Sequence, residues 1–278
     1  MSRHKHKDRV APTAMALPPF GIDTHAHLGD EAFDADRDEV IERALACGLA
    51  RIANVCLAPE RFSEEAALFA GHPEVFFLLG VHPDDAGSFS EETLALIRRH
   101  ATSHASIRAI GEIGLDYSRP VPECTPHDKQ KEAFRLQLGL ARELGMPVAV
   151  HCRDAAEDTL ALLEDEDFAG WPLVWHCFGQ DKELVQRIVA NDWYVSVPGT
   201  ITFKNSHLAR EAIPFIPDNR ILMETDCPYL APVPWRGCRN EPAYTVFSIR
   251  VMAECRGTTP EALWKLCGRN AQAFYRLG

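Results

Sequence analysis

Eight times between residues 20 and 276, a short, continuously apolar run is followed by a helical pattern. The runs fall at 21–25, 51–57, 75–81, 107–113, 148–151, 173–176, 193–197 and 221–224. They do not alternate apolar with polar residues, which is the pattern of strands buried on both faces. Helical patterns cover 35–47, 59–70, 90–99, 125–144, 154–163, 182–190 and 204–213, and two more, 242–255 and 260–274, follow the last run. The punctuation agrees. Gly48 and Gly145 stop helices, Ser90 can cap one, and Thr125 fits an N-cap with Pro126 at the first helical position and Asp128 in the first turn. Regular strand–helix alternation predicts a parallel sheet. Eight units predict a closed (β/α)8 TIM barrel, with extra C-terminal helices, rather than an open sheet. No interior linker is visible, so residues 20–278 are expected to form one domain behind a disordered tail at 1–19.

Composition limits the function classes. Lys+Arg 29 against Asp+Glu 40 gives a formal net charge of −11. That argues against a broad electrostatic grip on duplex DNA or an anionic membrane, but leaves room for a local positive site built around bound cations. The nine cysteines are odd in number and form no C-x-x-C pair. A reducing cytoplasm is therefore expected rather than a secreted disulfide framework. No apolar run approaches the ~20 residues needed to span a bilayer. The opening MSRHKHKDRVAPTAMALPPF is basic and then weakly apolar, too short in its apolar part for a signal peptide. Its His4 and His6 are expected to be solvated.

Metal-capable residues gather at the ends of the predicted strands. His25 and His27 end the first, Glu112 the fourth, His151 the fifth and His176 the sixth, and Asp226 follows the eighth. In a barrel these ends share one rim. Residues i and i+2 on a strand point the same way, so His25 and His27 can face one ion. A carboxylate such as Glu112 can bridge two cations. Nitrogen and oxygen ligands without thiolate suit Zn, Mn or Mg. Cys152, Cys177 and Cys227 each follow a ligand candidate by one residue. Strand alternation turns them to the other face, as packing residues. Asp23 reads as a supporting group or a turn residue. His82 also reaches the rim, to touch substrate or to bond its own loop, and His127 is open between similar fates. His72, His100, His104 and His207 fall outside the pattern and read as surface residues, and Trp235 and Tyr244 as substrate-stacking groups or, the commoner fate, packing aromatics.

The segments IDTHAHL, GVHP, GEIGLDY, PVAVHCRDA, WHCF, ETDCPYL and RNEPAY, in this order, resemble the successive motifs of TatD-type metal-dependent deoxyribonucleases across roughly residues 20–276. The resemblance implies a barrel of the amidohydrolase-like superfamily with a two-metal hydrolytic site. It puts His25, His27, Glu112 and Asp226 on one divalent ion. It makes Glu112 the bridge to a second, completed by His151 and His176. It also makes Asp226 the group that takes a proton from the attacking water. His82, Arg153, Arg239 and Asn240, with Glu241, match positions at the substrate mouth or its support. The stretch at 121–130 departs from the family pattern by its polarity and bears on substrate preference.

The implied reaction is phosphodiester hydrolysis of DNA, as a 3′-5′ exodeoxyribonuclease on single strands or ends, with two Mg, Mn or Zn ions and weak DNA binding. Lys204, Arg153, Arg236 and Arg239 fall in rim loops and could add positive charge, although solvation is the expected fate of Lys204 and Arg236. The alternatives are an ester or amide hydrolase on the same site, for example one acting on aminoacyl-tRNA, and a non-catalytic binding barrel. No membrane association and no obligate protein partner are implied.

Overall fold

The structure is a computed structural model, and it describes residues 9–278. Its strands are β1 (Gly21–Ala26), β2 (Leu49–Cys56), β3 (Val75–Leu79), β4 (Ile107–Asp116), β5 (Val148–Arg153), β6 (Leu173–Trp175), β7 (Tyr194–Val197) and β8 (Ile221–Met223). They pair in chain order, every pair parallel, as one eight-stranded sheet. The ends meet where Thr24 Oγ1 donates to Met223 O at 2.9 Å and Ala26 bridges Cys227 in parallel. The result is the expected nearly closed barrel.

Its helices are α1 (Arg37–Ala46), α2 (Phe62–Ala67), α3 (Glu91–Ser103), α4 (His127–Leu144), α5 (Ala156–Asp165), α6 (Lys182–Ala190), α7 (His207–Ala212), α8 (Thr245–Arg256) and α9 (Pro260–Tyr275). The core divides as two-sided strands require. Ile22, Val55, Leu78, Ala149, Val174 and Leu222 fill the barrel interior with others of their register, against Phe274 and Tyr275 from the end of α9. The Tyr275 hydroxyl donates to Thr24 O at 2.9 Å and ties that plug to β1. The outward strand residues pack under the helix layer.

Several boundaries differ from expectation. β4 runs three residues past 113, to Asp116. Thr125 does not cap α4, which begins at His127 with Pro126 in the cap position. The Thr125 hydroxyl donates instead to Asp84 O at 2.5 Å. The buried Gln130 amide bonds Thr125 O and both backbone groups of Asp116, and so joins the start of α4 to the end of β4. The helix expected at 204–213 shortens to six residues and ends in a 3-10 turn around Pro214, which cannot donate a backbone hydrogen bond. Gly145 closes α4 with φ +63°, the left-handed stop expected of it.

Part of the expected tail is built into the barrel. Residues 1–8 lie outside the described residues. Residues 9–19, however, run along the outside of the barrel and are not a loose tail. Leu17 N donates to Cys47 O at 3.0 Å, Trp264 Nε1 to Pro18 O at 2.9 Å, and Trp235 Nε1 to Val10 O at 3.1 Å. Pro12 is buried in a short 3-10 turn. Among the described residues no helix is long and apolar enough to cross a membrane.

Candidate metal centre

Strand periodicity delivers the polar cluster. Ala149, Val174 and Leu222 face the barrel interior. The residues two positions later, His151, His176 and Glu224, therefore lie on the same face at the C-terminal rim. On the closing seam, Asp226 N donates to His25 O and His27 N to Cys227 O, at 2.9 and 2.8 Å. These bonds set Asp226 between His25 of β1 and His27 just past its end. Gly114, at φ +151°, lets β4 press against β5, because a Cβ there would fall 1.9 Å from His151 O.

Glu112 is the hub, 3% exposed at the end of the barrel. On one side its Oε2 lies 3.1 Å from His25 Nε2 and 3.9 Å from His27 Nε2. Its Oε1 faces the other side, 2.5 Å from His151 Nδ1 and 2.7 Å from His176 Nε2. Asp226 Oδ1 lies 3.3 Å from His27 Nε2 and 3.8 Å from His25 Nε2. Among the described residues four overlapping groups could hold a metal ion: His25, His27 and Asp226; Glu112, His151 and His176; His25, His176 and Glu224; and His82, Asp116 and His151, with the ligand atoms of each group within 4.8 Å of one another. The donor set fits divalent cations. Imidazole nitrogens and carboxylate oxygens with no thiolate are the ligand types such ions take. The His25 Nδ1 atom, on the far side of its ring, is buried without a hydrogen-bond partner.

The electrostatics follow from burial and crowding. Burial pushes the Glu112 carboxyl up, but His176, His25 and His151 outweigh it and hold it well below the usual carboxylate range. Asp226 is likewise held down, burial being outweighed by its bond to His27. Burial lowers His25, and the neighbouring His176 lowers it further. Burial also works against protonation of His151 and His176. Glu112, with Asp116 or Glu224, overcomes it and raises His151 to about 9 and His176 well above its ordinary value. Both carboxylates are thus ionised and ready to bind a cation.

Two supporting carboxylates had no expected role. Asp116 Oδ2 accepts from His151 Nε2 at 3.0 Å, which orients the ring with Nδ1 toward the centre. Glu224, wholly buried, lies 3.4 Å from His176 Nδ1 and accepts from Cys177 N at 2.7 Å and from the Ser196 hydroxyl. Period two on β8 could have found Glu224, since it follows inward-facing Leu222. Asp116, four residues past Glu112 on the same strand, carried a weaker signal. Asp23 is a supporting group rather than a turn residue, because its carboxylate accepts from Thr225 Oγ1 at 2.6 Å and Thr225 N at 3.0 Å.

The expected substrate residues separate. His82 reaches the centre, with Nε2 3.3 Å from His151 Nδ1 and 3.8 Å from Glu112 Oε1. Its Nδ1 accepts from Asp84 N at 3.2 Å, so the neutral ring carries its proton on Nε2, toward the centre. The bond to its own loop is therefore made, while Nε2 faces the centre. Arg153 is exposed at the end of β5. Arg239 and Asn240 are engaged within the protein. Both Arg239 terminal nitrogens donate to the Asp36 carboxylate at 2.7 Å, and Nη1 also to Ala32 O. Asn240 is wholly buried and donates to Thr225 O and Tyr229 O at 2.9 and 2.6 Å, pinning the loop that carries Asp226. Glu241 holds Arg43. Cys177 is not on a strand face as expected. It has φ +53° beyond the end of β6, and burial pushes its thiol well up. His127 stacks on Tyr117 at 3.7 Å, and Trp235 stacks on Tyr244 at 5.1 Å.

A family model described as TatD related DNase matches residues 22–276. The chain belongs to this family. It is 38% identical over 256 residues to the uncharacterized metal-dependent hydrolase YabD of Bacillus subtilis, covering 92% of this chain and 99% of that protein. It is 35% identical over 262 residues to a protein of Erwinia billingiae named 3′-5′ ssDNA/RNA exonuclease TatD, again covering 92% and 99%. The crystal structure of YJJV, a TatD homologue of Escherichia coli, superposes with a TM-score of 0.86 at 25% identity, covering 94% of this chain and 99% of that one. The TatD-family chain is thus a metal-dependent hydrolase.

Proposed function

We propose that the protein hydrolyses phosphodiester bonds of DNA, shortening single strands or frayed ends from the 3′ side, with two divalent cations at the rim. The carrying observation is the division of Glu112. One oxygen faces His25 and His27 and the other faces His151 and His176. A bridging carboxylate between two cations needs this geometry. When bound, the cations supply Lewis-acid charge for the phosphate oxygens and ease ionisation of the attacking water.

The chain's own residues then have distinct tasks. Asp226 and Glu112 are the catalytic carboxylates. Asp226 keeps Oδ1 on His27 and uses its second oxygen to take the proton of the water. Its depressed pKa makes it an available acceptor at neutral pH. Glu112 holds the two ligand groups at fixed separation. His25, His27, Asp226, His151 and His176 complete the ligand set. His82 offers its Nε2–H to a phosphate oxygen, and Arg153 reaches the same anion from the end of β5. Arg239 and Asn240 position the loop instead of touching substrate. Weak binding fits the net charge of −11, since only the rim is attractive to a polyanion. The name of the Erwinia relative supports the 3′-5′ polarity and adds RNA to the candidates.

The test uses metal-free protein refilled with Mg or Mn, and single-stranded DNA and RNA labelled at either end, beside Asp226→Asn. A ladder shortening from the 3′ end, reduced roughly 100-fold or more in the variant, is expected. No cleavage at full metal occupancy would move the substrate to an ester or amide.

A further inference from the structure

We infer that Tyr229 is the base-stacking platform of the site and holds a nucleobase flanking the attacked phosphate. The inference rests on the nucleic-acid reading above and adds how the substrate is held. Among the described residues Tyr229 is the most exposed of the large hydrophobic side chains, at 55%. Such exposure on a long loose loop would mean little. Here the backbone beneath the ring is fixed. Tyr229 N donates to Asp226 O at 2.9 Å, and Tyr229 O accepts from the buried Asn240 amide at 2.6 Å. Its ring meets the His27 ring edge-on, with centroids 6.2 Å apart and planes at 67°.

An open aromatic surface therefore stands beside the ligand cluster, three residues past the proposed proton acceptor. A phosphate over Glu112 and Asp226 carries a nucleoside on either side, so a base lies within one nucleotide of this ring. A tyrosine with a pinned backbone loses little freedom on contact, since only two side-chain torsions remain. Stacking tolerates any base, which suits an enzyme that degrades strands without reading sequence. Trp235 is stacked with Tyr244 and Tyr117 with His127.

The experiment compares wild type, Tyr229→Ala, Tyr229→Leu and Tyr229→Phe at saturating Mn, after checking fold and metal content. The substrates are single-stranded oligonucleotides, intact or lacking the base at the terminal or the penultimate 3′ nucleotide. On intact strands Tyr229→Ala and Tyr229→Leu are expected to raise KM roughly 10- to 100-fold with kcat little changed, while Tyr229→Phe keeps the wild-type KM. With the base removed at one of the two positions, the difference between wild type and Tyr229→Ala is expected to collapse to less than about twofold. An equal loss on intact and base-free strands, or no loss on intact ones, overturns the inference while the nuclease reading stands. Wild type that cleaves no strand at full metal occupancy overturns the nuclease reading, and the inference falls with it.

Discussion

Asn240→Ala separates a residue that holds the loop from one that touches substrate. In the wild type the Asn240 side chain makes three hydrogen bonds: to Thr225 O, to Tyr229 O and from Glu241 N. Alanine removes all three and leaves their partners behind. Each lost bond costs about 1 kcal/mol, and more where the orphaned group stays dry. Thr225 O and Glu241 N stay dry, whereas the Tyr229 end is partly buried and can recruit water. The sum is about 3 kcal/mol. In a chain of this size that lowers the melting temperature by roughly 6–12 °C. The same bonds set Asp226 against His27 and pin Tyr229, so kcat is expected to fall roughly 10- to 100-fold, with a rise in KM beside it. Thermal melting of the metal-free protein is the decisive assay, because it contains neither substrate nor catalysis. A metal-free Asn240→Ala that melts with wild type, and shows only a raised KM, would refute the clamp and return Asn240 to the substrate mouth.

Glu224→Gln is expected to weaken metal affinity by roughly 10- to 100-fold, because the orientation and basicity of His176 depend on this carboxylate. Chelator competition on the purified protein checks it, and unchanged affinity would count against the supporting role. His72 gives a pH signature away from the site. Burial opposes its protonation, but bonds to Glu74 and Asp38 raise it above the usual 6.5. A raised folded-state pKa stabilises the protein below the unfolded value, and that contribution fades as pH rises through the folded one. His72→Gln is therefore expected to cost up to ~1 kcal/mol at acidic pH and nothing at alkaline pH, by urea melts across the range, given the exposure of Asp38. The opposite pH trend would sink it.

The barrel was legible because its signal is repeated and local. The strands are mainly apolar on both faces, and helices such as α4 and α8 carry a glycine stop. Two of the misjudged boundaries have one cause in common: a distant partner outbid the local signal. Thr125 has the chemistry of a cap, but the Asp84 carbonyl, 41 residues away, takes its hydroxyl. Residues 9–19 lack the composition of a core segment, yet Trp264 binds Pro18 across 246 residues. Pairings of that span leave no trace in a window of sequence.

The site shows the same division more sharply. His25, His27, Glu112, His151, His176 and Asp226 were visible because imidazole and carboxylate recur at the ends of separate apolar strands. Their convergence needs only the barrel's common rim. The groups that orient them were hidden because Asp116 and Glu224 look like ordinary strand-end carboxylates, and Arg239 and Asn240 look like free polar side chains on a rim loop. Burial changes their meaning. A wholly buried Asn240 has no substrate to meet and must satisfy its amide within the protein. Arg239, paired through both terminal nitrogens with Asp36, has no fork left for phosphate. Tyr229 is the reverse case. Its polar backbone is satisfied while its ring stays in the open, so what it can still bind is an aromatic face. Within this family barrel, ligand positions can be read from residue type and strand end, whereas contact with substrate is decided by which of those side chains the rest of the fold has left unengaged.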